Sequence, residues 1–159
     1  MARDYIIRRA KKNDAKGIYE ILLVAFEGYR NYYTSEGFSD TVMSENAVIE
    51  RMKEMKLYVA VDQKRKIIGT IGWRKVSKKE GHIRGMAVLP EKQGKNSPAT
   101  ALLQAVENDA RSKGCIYLTL DTTAPLKRAQ NFYRKYGFKE TGKTGDFFGL
   151  TIYEYAKKI

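Results

Sequence analysis

The sequence predicts one α/β domain over residues 1–159, with helices covering a mixed sheet in the order β-α-α-β-β-β-α-β-α-β-β, about seven strands and four helices. Three observations lead there. A chain of 159 residues has the size of one domain and buries roughly 70% of its unfolded surface with no metal or disulfide to hold it. Apolar residues switch along the chain between strand-length runs and segments repeating every three or four residues. No stretch rich in Pro, Gly and Ser, no repeat and no low-complexity run marks a place to divide it.

Residues 4–9 read as a short strand. Asn13-Asp14 then offers a helix cap ahead of Ile18, Ile21, Leu22, Ala25, Phe26 and Tyr29, whose spacing places them on one stripe. Residues 32–38 are aromatic yet irregular and link this helix to a second one after Ser44, with Val48, Ile49, Met52 and Met55 on one side. Residues 56–62, 66–76 and 81–89 are strand-like, the first two joined by the hairpin-length Gln63-Lys64-Arg65. Leu102, Leu103, Val106 and Ala110 repeat with helical spacing until Lys113-Gly114 supplies a basic last turn and a terminal glycine. Residues 116–120 form a strand by their apolar run. A helix over 125–136 opens on a first-turn proline and stops at Gly137, and strands over 138–144 and 147–155 close the chain.

The 30 Lys and Arg against 18 Asp and Glu leave a net charge of +12. Residues 1–80 hold 17 basic and 11 acidic side chains and residues 81–159 hold 13 and 7, so each half carries +6. Such evenness means a generally positive surface rather than a basic tail. It suits nucleic acid, acidic lipid or a multiply charged anionic small molecule, or solubility alone. The longest apolar run is six residues, Ile21 to Phe26, whereas a membrane-spanning helix needs about 20, so no membrane partner is expected. The opening Met-Ala-Arg-Asp-Tyr is unlike a secretion signal, and Cys115 is the only cysteine, which points to a cytoplasmic protein without intramolecular disulfides.

Chemistry concentrates in residues 86–103, where a strand ending in Met86-Ala87-Val88 runs through Gln93-Gly94-Lys95-Asn96-Ser97-Pro98-Ala99-Thr100 into a helix. The first amides of a helix lack internal partners, so this start attracts phosphate. Ser97 can cap it and Pro98 suits its first position. Further on, Ala129-Gln130-Asn131-Phe132-Tyr133-Arg134-Lys135-Tyr136-Gly137-Phe138 resembles the Ala-x-x-Phe-Tyr-x-x-x-Gly-Phe signature of the GNAT superfamily of acyl-CoA-dependent N-acetyltransferases. The upstream loop resembles that family's Val-x-Pro-x-x-Gln/Arg-x-x-Gly-x-Gly/Ala signature, at the family's separation and on the same elements.

The resemblance implies a mixed, mostly antiparallel sheet and an acetyl-CoA co-substrate lying where two parallel strands splay apart. Met86, Ala87 and Val88 would bond the pantetheine arm. The amides of Gln93, Gly94, Lys95, Asn96, Ser97, Ala99 and Thr100 would receive the pyrophosphate, with Ala129 and Tyr133 on the facing helix. The amine acceptor would attack the thioester directly, so Cys115 is not needed as a nucleophile and reads as a buried structural thiol. Two departures stand out. Asn96 and Pro98 replace family glycines, and Leu126 stands where relatives often carry Asn. Asn tolerates a left-handed backbone. Proline has no amide hydrogen, so Ala99 and Thr100 would have to take over as donors.

The resemblance places Tyr133 as the acid that protonates the departing thiolate, which a phenol with a pKa of about 10 can do; helical spacing with Leu126, Ala129 and Tyr136 suits core packing equally. His82, the only histidine, lies on the strand entering the cleft, where some relatives hold a catalytic glutamate, and titrates in the useful range. Glu80 competes for that role, two residues away on the same face. Phe26, Tyr29, Tyr33 and Phe38 either wall an acceptor pocket or simply pack on the sheet. The leading expectation is transfer of an acetyl group to a primary amine. An acyl-CoA-binding sensor of the same fold is the rival, and a nucleic-acid binder finds support in charge alone. Acceptor identity stays open, as does oligomeric state, a homodimer included; no metal is expected.

Overall fold

The computed structural model describes residues 3–94 and 96–159. Their strands make one seven-stranded sheet in the order β1-β2-β3-β4-β5-β7-β6. β1 (Tyr5–Arg9), β2 (Lys56–Asp62), β3 (Ile67–Lys75) and β4 (Glu80–Val88) pair antiparallel in sequence. β5 (Tyr117–Thr123) joins β4 in parallel, and β7 (Leu150–Lys158) runs antiparallel between β5 and β6 (Lys139–Phe147). β3 is buried on both sides for most of its length, because helices cover both faces of the sheet there. On one face Gly69 meets Leu102 of α4 (Ala99–Ser112) and Trp73 reaches Asp109 of the same helix; on the other Gly72 meets Met55, which ends α3 (Glu45–Glu54). α1 (Ala15–Phe26) packs beside α3. The predicted stripe Leu102, Leu103, Val106 and Ala110 is fully buried.

Two carboxylates on α4 fix that helix to the sheet. Asp109 accepts from Tyr58 Oη and Trp73 Nε1, both at 3.0 Å. Glu107, 4% exposed, accepts from Lys157 Nζ at 2.7 Å, from Arg111 at 3.2 Å and from the Tyr136 hydroxyl. Burial pushes both pKa values up, yet these donors and nearby cations hold both below the usual carboxylate range.

Several expectations are corrected. Asp14 does not cap α1: its carboxylate accepts two bonds from Arg8, at 2.7 and 3.0 Å, and one from the Lys11 amide, because a guanidinium fork competes better than helix amides. Among the described residues there are five α-helices rather than four. The added α2 (Ser35–Thr41) lies in the segment read as irregular, where the Thr34 hydroxyl accepts from the Gly37 amide and Phe38 anchors the turn in the core. Seven residues are too few to show an apolar stripe. α5 (Lys127–Tyr136) begins at Lys127, not at Pro125, whose carbonyl accepts from the Lys127 amide in a turn. β5 continues three residues past the expected end because β7 pairs with it throughout. The last hairpin turns at Phe148-Gly149, both at positive φ (49° and 92°), so Gly145 and Asp146 lie within β6.

Gly81 sits where β4 meets β5, and a Cβ there would stand 2.9 Å from Leu118 Cδ2 and 3.1 Å from the Trp73 ring. Leu118 can rotate aside, but the indole is pinned by Asp109. Gly81→Ala should therefore cost about 1–3 kcal/mol, seen as a lower urea midpoint with an unchanged m value.

Candidate active site

β4 and β5 pair over only Glu80↔Tyr117, Gly81↔Leu118 and His82↔Thr119. Beyond that point β4 stays with β3 as far as Val88, and β5 stays with β7 as far as Thr123. β4 is also bent by a bulge: Thr70 faces Ala87 and Gly72 faces Arg84, so Gly85 and Met86 stand opposite Ile71, with Gly85 at φ +72°. The strands part, and the gap widens into a cleft of about 1000 Å³. Of the residues singled out from the sequence, His82, Met86, Ala87, Val88, Gln93, Gly94, Asn96, Ser97, Ala99, Thr100, Ala129, Tyr133, Phe26, Tyr29 and Tyr33 all line it. Lys95 lies outside the described residues.

The loop after β4 is tied at its base by Gln93 Nε2 donating to the Val88 carbonyl at 3.0 Å. Gly94 (φ 91°) and Asn96 (φ 65°) turn it with left-handed backbone, so Asn does at 96 what a glycine would. The Ser97 hydroxyl accepts from the Ala99 amide at 3.1 Å, which corrects the expected donor set: Ala99 is already engaged. Among the described residues the Thr100 and Ala101 amides have no acceptor, and they sit at the positive end of a 14-residue helix.

Tyr133 on α5 (Lys127–Tyr136) is 8% exposed, its ring edge-on to Phe132 and Phe138. The hydroxyl reaches only the Met86 thioether, a weak acceptor, at 3.5 Å. Burial drives its pKa far above the ordinary phenol value, so the group keeps its proton.

On the opposite face of the strands the Thr119 hydroxyl lies 2.7 Å from Glu80 Oε2 and 2.7 Å from His82 Nδ1. The hydroxyl has one hydrogen and donates it to Glu80, so it accepts from Nδ1–H. Neutral His82 therefore carries its free lone pair on Nε2, which faces Asp121 Oδ2 at 3.7 Å. Burial lowers the His82 pKa and raises that of Asp121, and their mutual attraction offsets only part of this. Glu80 also accepts from the Tyr117 hydroxyl at 3.1 Å and is not among the residues lining the cleft. It steadies Thr119 rather than facing a ligand.

The far end of the cleft is walled by Phe26, Tyr29 and Tyr33, the last bonded to Thr123 Oγ1 at 2.8 Å and edge-on to Phe147. Phe38 is not part of the wall; it is buried beneath, its ring edge-on to Tyr33 and under the Arg30 guanidinium. Sequence reading missed Asp121, Thr122, Arg51 and the Arg84–Asp40 ion pair. The alternation Leu118, Thr119, Leu120, Asp121 along β5 was a signal for the first of these, had the strand been drawn to its true length.

The model of the acetyltransferase (GNAT) domain matches residues 10–159. The chain belongs to the GNAT acetyltransferase family. The PaiA N-acetyltransferase of Thermoplasma acidophilum, solved in complex with coenzyme A, superposes with a TM-score of 0.81 at 20% identity over 100% of both chains. A GNAT acetyltransferase of Staphylococcus aureus Mu50 gives 0.78 at 18% identity, covering 97% of this chain and 98% of its own. One from Elizabethkingia anophelis with acetyl-CoA bound gives 0.69 at 18%, covering 99% and 100%. At such identities the likeness concerns the fold. No curated protein sequence matches the chain. Among the described residues no helix is long and apolar enough to cross a membrane, and no three His, Cys, Asp or Glu gather as a metal site. Cys115 is buried, with its thiol pKa raised by that burial.

An acyl-CoA fits the residues present. The cleft follows a strand edge, two helix amides are free, and Thr122, 4% exposed, has a hydroxyl with no partner among the described residues. Such an orphan is costly in the ligand-free protein. Thr122→Val should accordingly raise stability by about 1 kcal/mol, read as a higher urea midpoint without ligand.

Proposed function

We propose that the chain acts, as one domain, to transfer an acetyl group from acetyl-CoA to a primary amine by direct attack. The observation that carries the reading is the parting of β4 from β5, with Tyr133 and His82 both opening on the gap. The co-substrate supplies an activated thioester carbonyl. The free edge of β4 at Met86 and Ala87 suits the amides of its pantetheine arm, and the Thr100 and Ala101 amides suit its pyrophosphate. Arg128 and Lys135 of α5 add positive charge to the same cleft, so part of the net charge of +12 serves this anion. The lone buried thiol accords with a cytoplasmic setting.

His82 Nε2 takes a proton from the amine, directly or through water, and the Glu80–Thr119 bridge holds the ring in the tautomer that can do so. Tyr133 gives its hydroxyl proton to the departing CoA sulfur. Both readings draw on burial: it keeps His82 neutral at pH 7 and Tyr133 protonated. Incubation with acetyl-CoA and a panel of amines should release free thiol in an amine-dependent manner, and acetyl-CoA should raise the melting temperature. No release and no shift would defeat the assignment.

Tyr133→Phe keeps the ring and loses only a hydroxyl bonded to a thioether. Turnover should fall about a hundredfold or more while stability and acetyl-CoA affinity barely move; undiminished single-turnover chemistry would reduce Tyr133 to packing. For His82, the depressed pKa puts the acid limb of kcat/KM below about pH 6.5. His82→Gln should flatten that limb and lower the rate at pH 7, yet approach the parent above about pH 9, where amines lose protons to water. Glu80→Gln should keep a limb, since Glu80 reaches the ring only through Thr119. Loss of the limb in Glu80→Gln alone would make Glu80 the base.

A further inference from the structure

Arg51 near the end of α3 is half-buried and lines the cleft, and its side chain has no hydrogen bond or ion pair among the described residues. Its Nη1 lies 3.2 Å from where a Cβ would stand on Gly85, so the guanidinium rests against the β4 bulge. The charged groups around it do not satisfy it. Asp40 of α2 is taken by Arg84 of β4, Glu54 on its own helix is exposed, and Arg74 of β3 has the same sign. Burial and the Arg84 charge outweigh the attraction of Asp40 and Glu54, lowering the Arg51 pKa to about 10. A guanidinium held this way gains from an oxyanion, which its fork binds with two parallel hydrogen bonds. Three positions back from Gly85 on β4, the His82 Nε2 lone pair, with Asp121 of β5 facing it, suits an ammonium group.

We propose that Arg51 reads an oxyanion on the acceptor, so that the amine to be acetylated belongs to a short molecule carrying a carboxylate or phosphate at its other end. This deepens the amine-acetylation reading and rests on it for the role of the amine end. His82 and Gly85 stand three positions apart on β4, roughly 10 Å of strand. An α-amino acid is too short to bridge them with its own amine and carboxylate; an ω-amino acid of several carbons is long enough. A polyamine would set a second cation against Arg51 and Arg84. Phe26, Tyr29 and Tyr33 offer an apolar wall for the methylenes between the two ends.

The test compares δ-aminovaleric acid, its uncharged amide and the phosphonate of the same length. Binding to the protein in the presence of CoA is followed by calorimetry, which needs no turnover. The acid or the phosphonate should bind about tenfold or more tighter than the amide, and the tighter of the two names the oxyanion. Arg51→Gln should abolish the difference, and Arg51→Lys should keep part of it, since charge is retained and the fork lost. Binding of both anions no tighter than the amide by the unaltered protein, or no binding of any of the three, overturns the proposal, as does a preference that survives in Arg51→Gln. Should Arg51→Gln fail to fold, the comparison on the unaltered protein decides alone. Acetylation of the same compounds is scored separately. Selective binding of the anions without acetylation of any amine would sink the transferase reading and leave this one standing. Acetylation of amines regardless of their charge, with equal binding, would do the reverse.

Discussion

The cleft exists because the parallel pairing of β4 with β5 stops at His82 and Thr119. Each strand is held on its other side, β4 by β3 and β5 by β7, so neither can fold back to close the gap. The last pair is cross-linked through side chains, Glu80 to Thr119 to His82, which locks the vertex of the gap and aims an imidazole at it in one step. Just beyond, the Gly85 bulge turns β4 away and leaves room for the Arg51 guanidinium. The backbone defect that opens the site and the side chains that furnish it are thus one local arrangement.

The walls of the gap stand on polar anchors that would be costly to break. Asp109 and Glu107 on α4 gather Tyr58, Trp73, Lys157 and Tyr136 from three strands and α5. They hold the C-terminal half of α4 to the sheet, while Leu102 against Gly69 of β3 seats its first turn. Proline at 98, where the family carries glycine, is tolerable in this frame: the residue is already helical at φ −71°, and with the Ala99 amide bonded to Ser97 the amides left free among the described residues are those of Thr100 and Ala101. On the proposed reading the donor pair moves by one residue, from Ala99 and Thr100 to Thr100 and Ala101.

Much of the architecture was legible because burial on a sheet leaves an apolar record. The runs of β2, β3 and β4 and the stripe of α4 place those elements within a residue or two, and the loop with its Gln93, Asn96 and Ser97 falls where the sequence sets it. α2 left no such record, since it is held by one cap and one buried ring, Thr34 and Phe38. The turn at Phe148-Gly149 was hidden because a phenylalanine at positive φ is a poor turn signal, while Gly145-Asp146 is a good one that the sheet overrides. Arg51 was illegible for another reason: a cation against a bulge, with no ion pair among the described residues, is a fact of tertiary contact, and neither spacing nor composition encodes it.

The central claim, that the gap between β4 and β5 receives acetyl-CoA along the β4 edge and at the start of α4, is tested most directly by amide hydrogen exchange with and without the ligand. Protection should rise most at Met86, Ala87, Thr100 and Ala101, beyond the rise that ligand stabilisation gives to the amides of β1 and β2 at the far side of the sheet. Protection that rises elsewhere while those four amides keep their ligand-free rates would contradict the account.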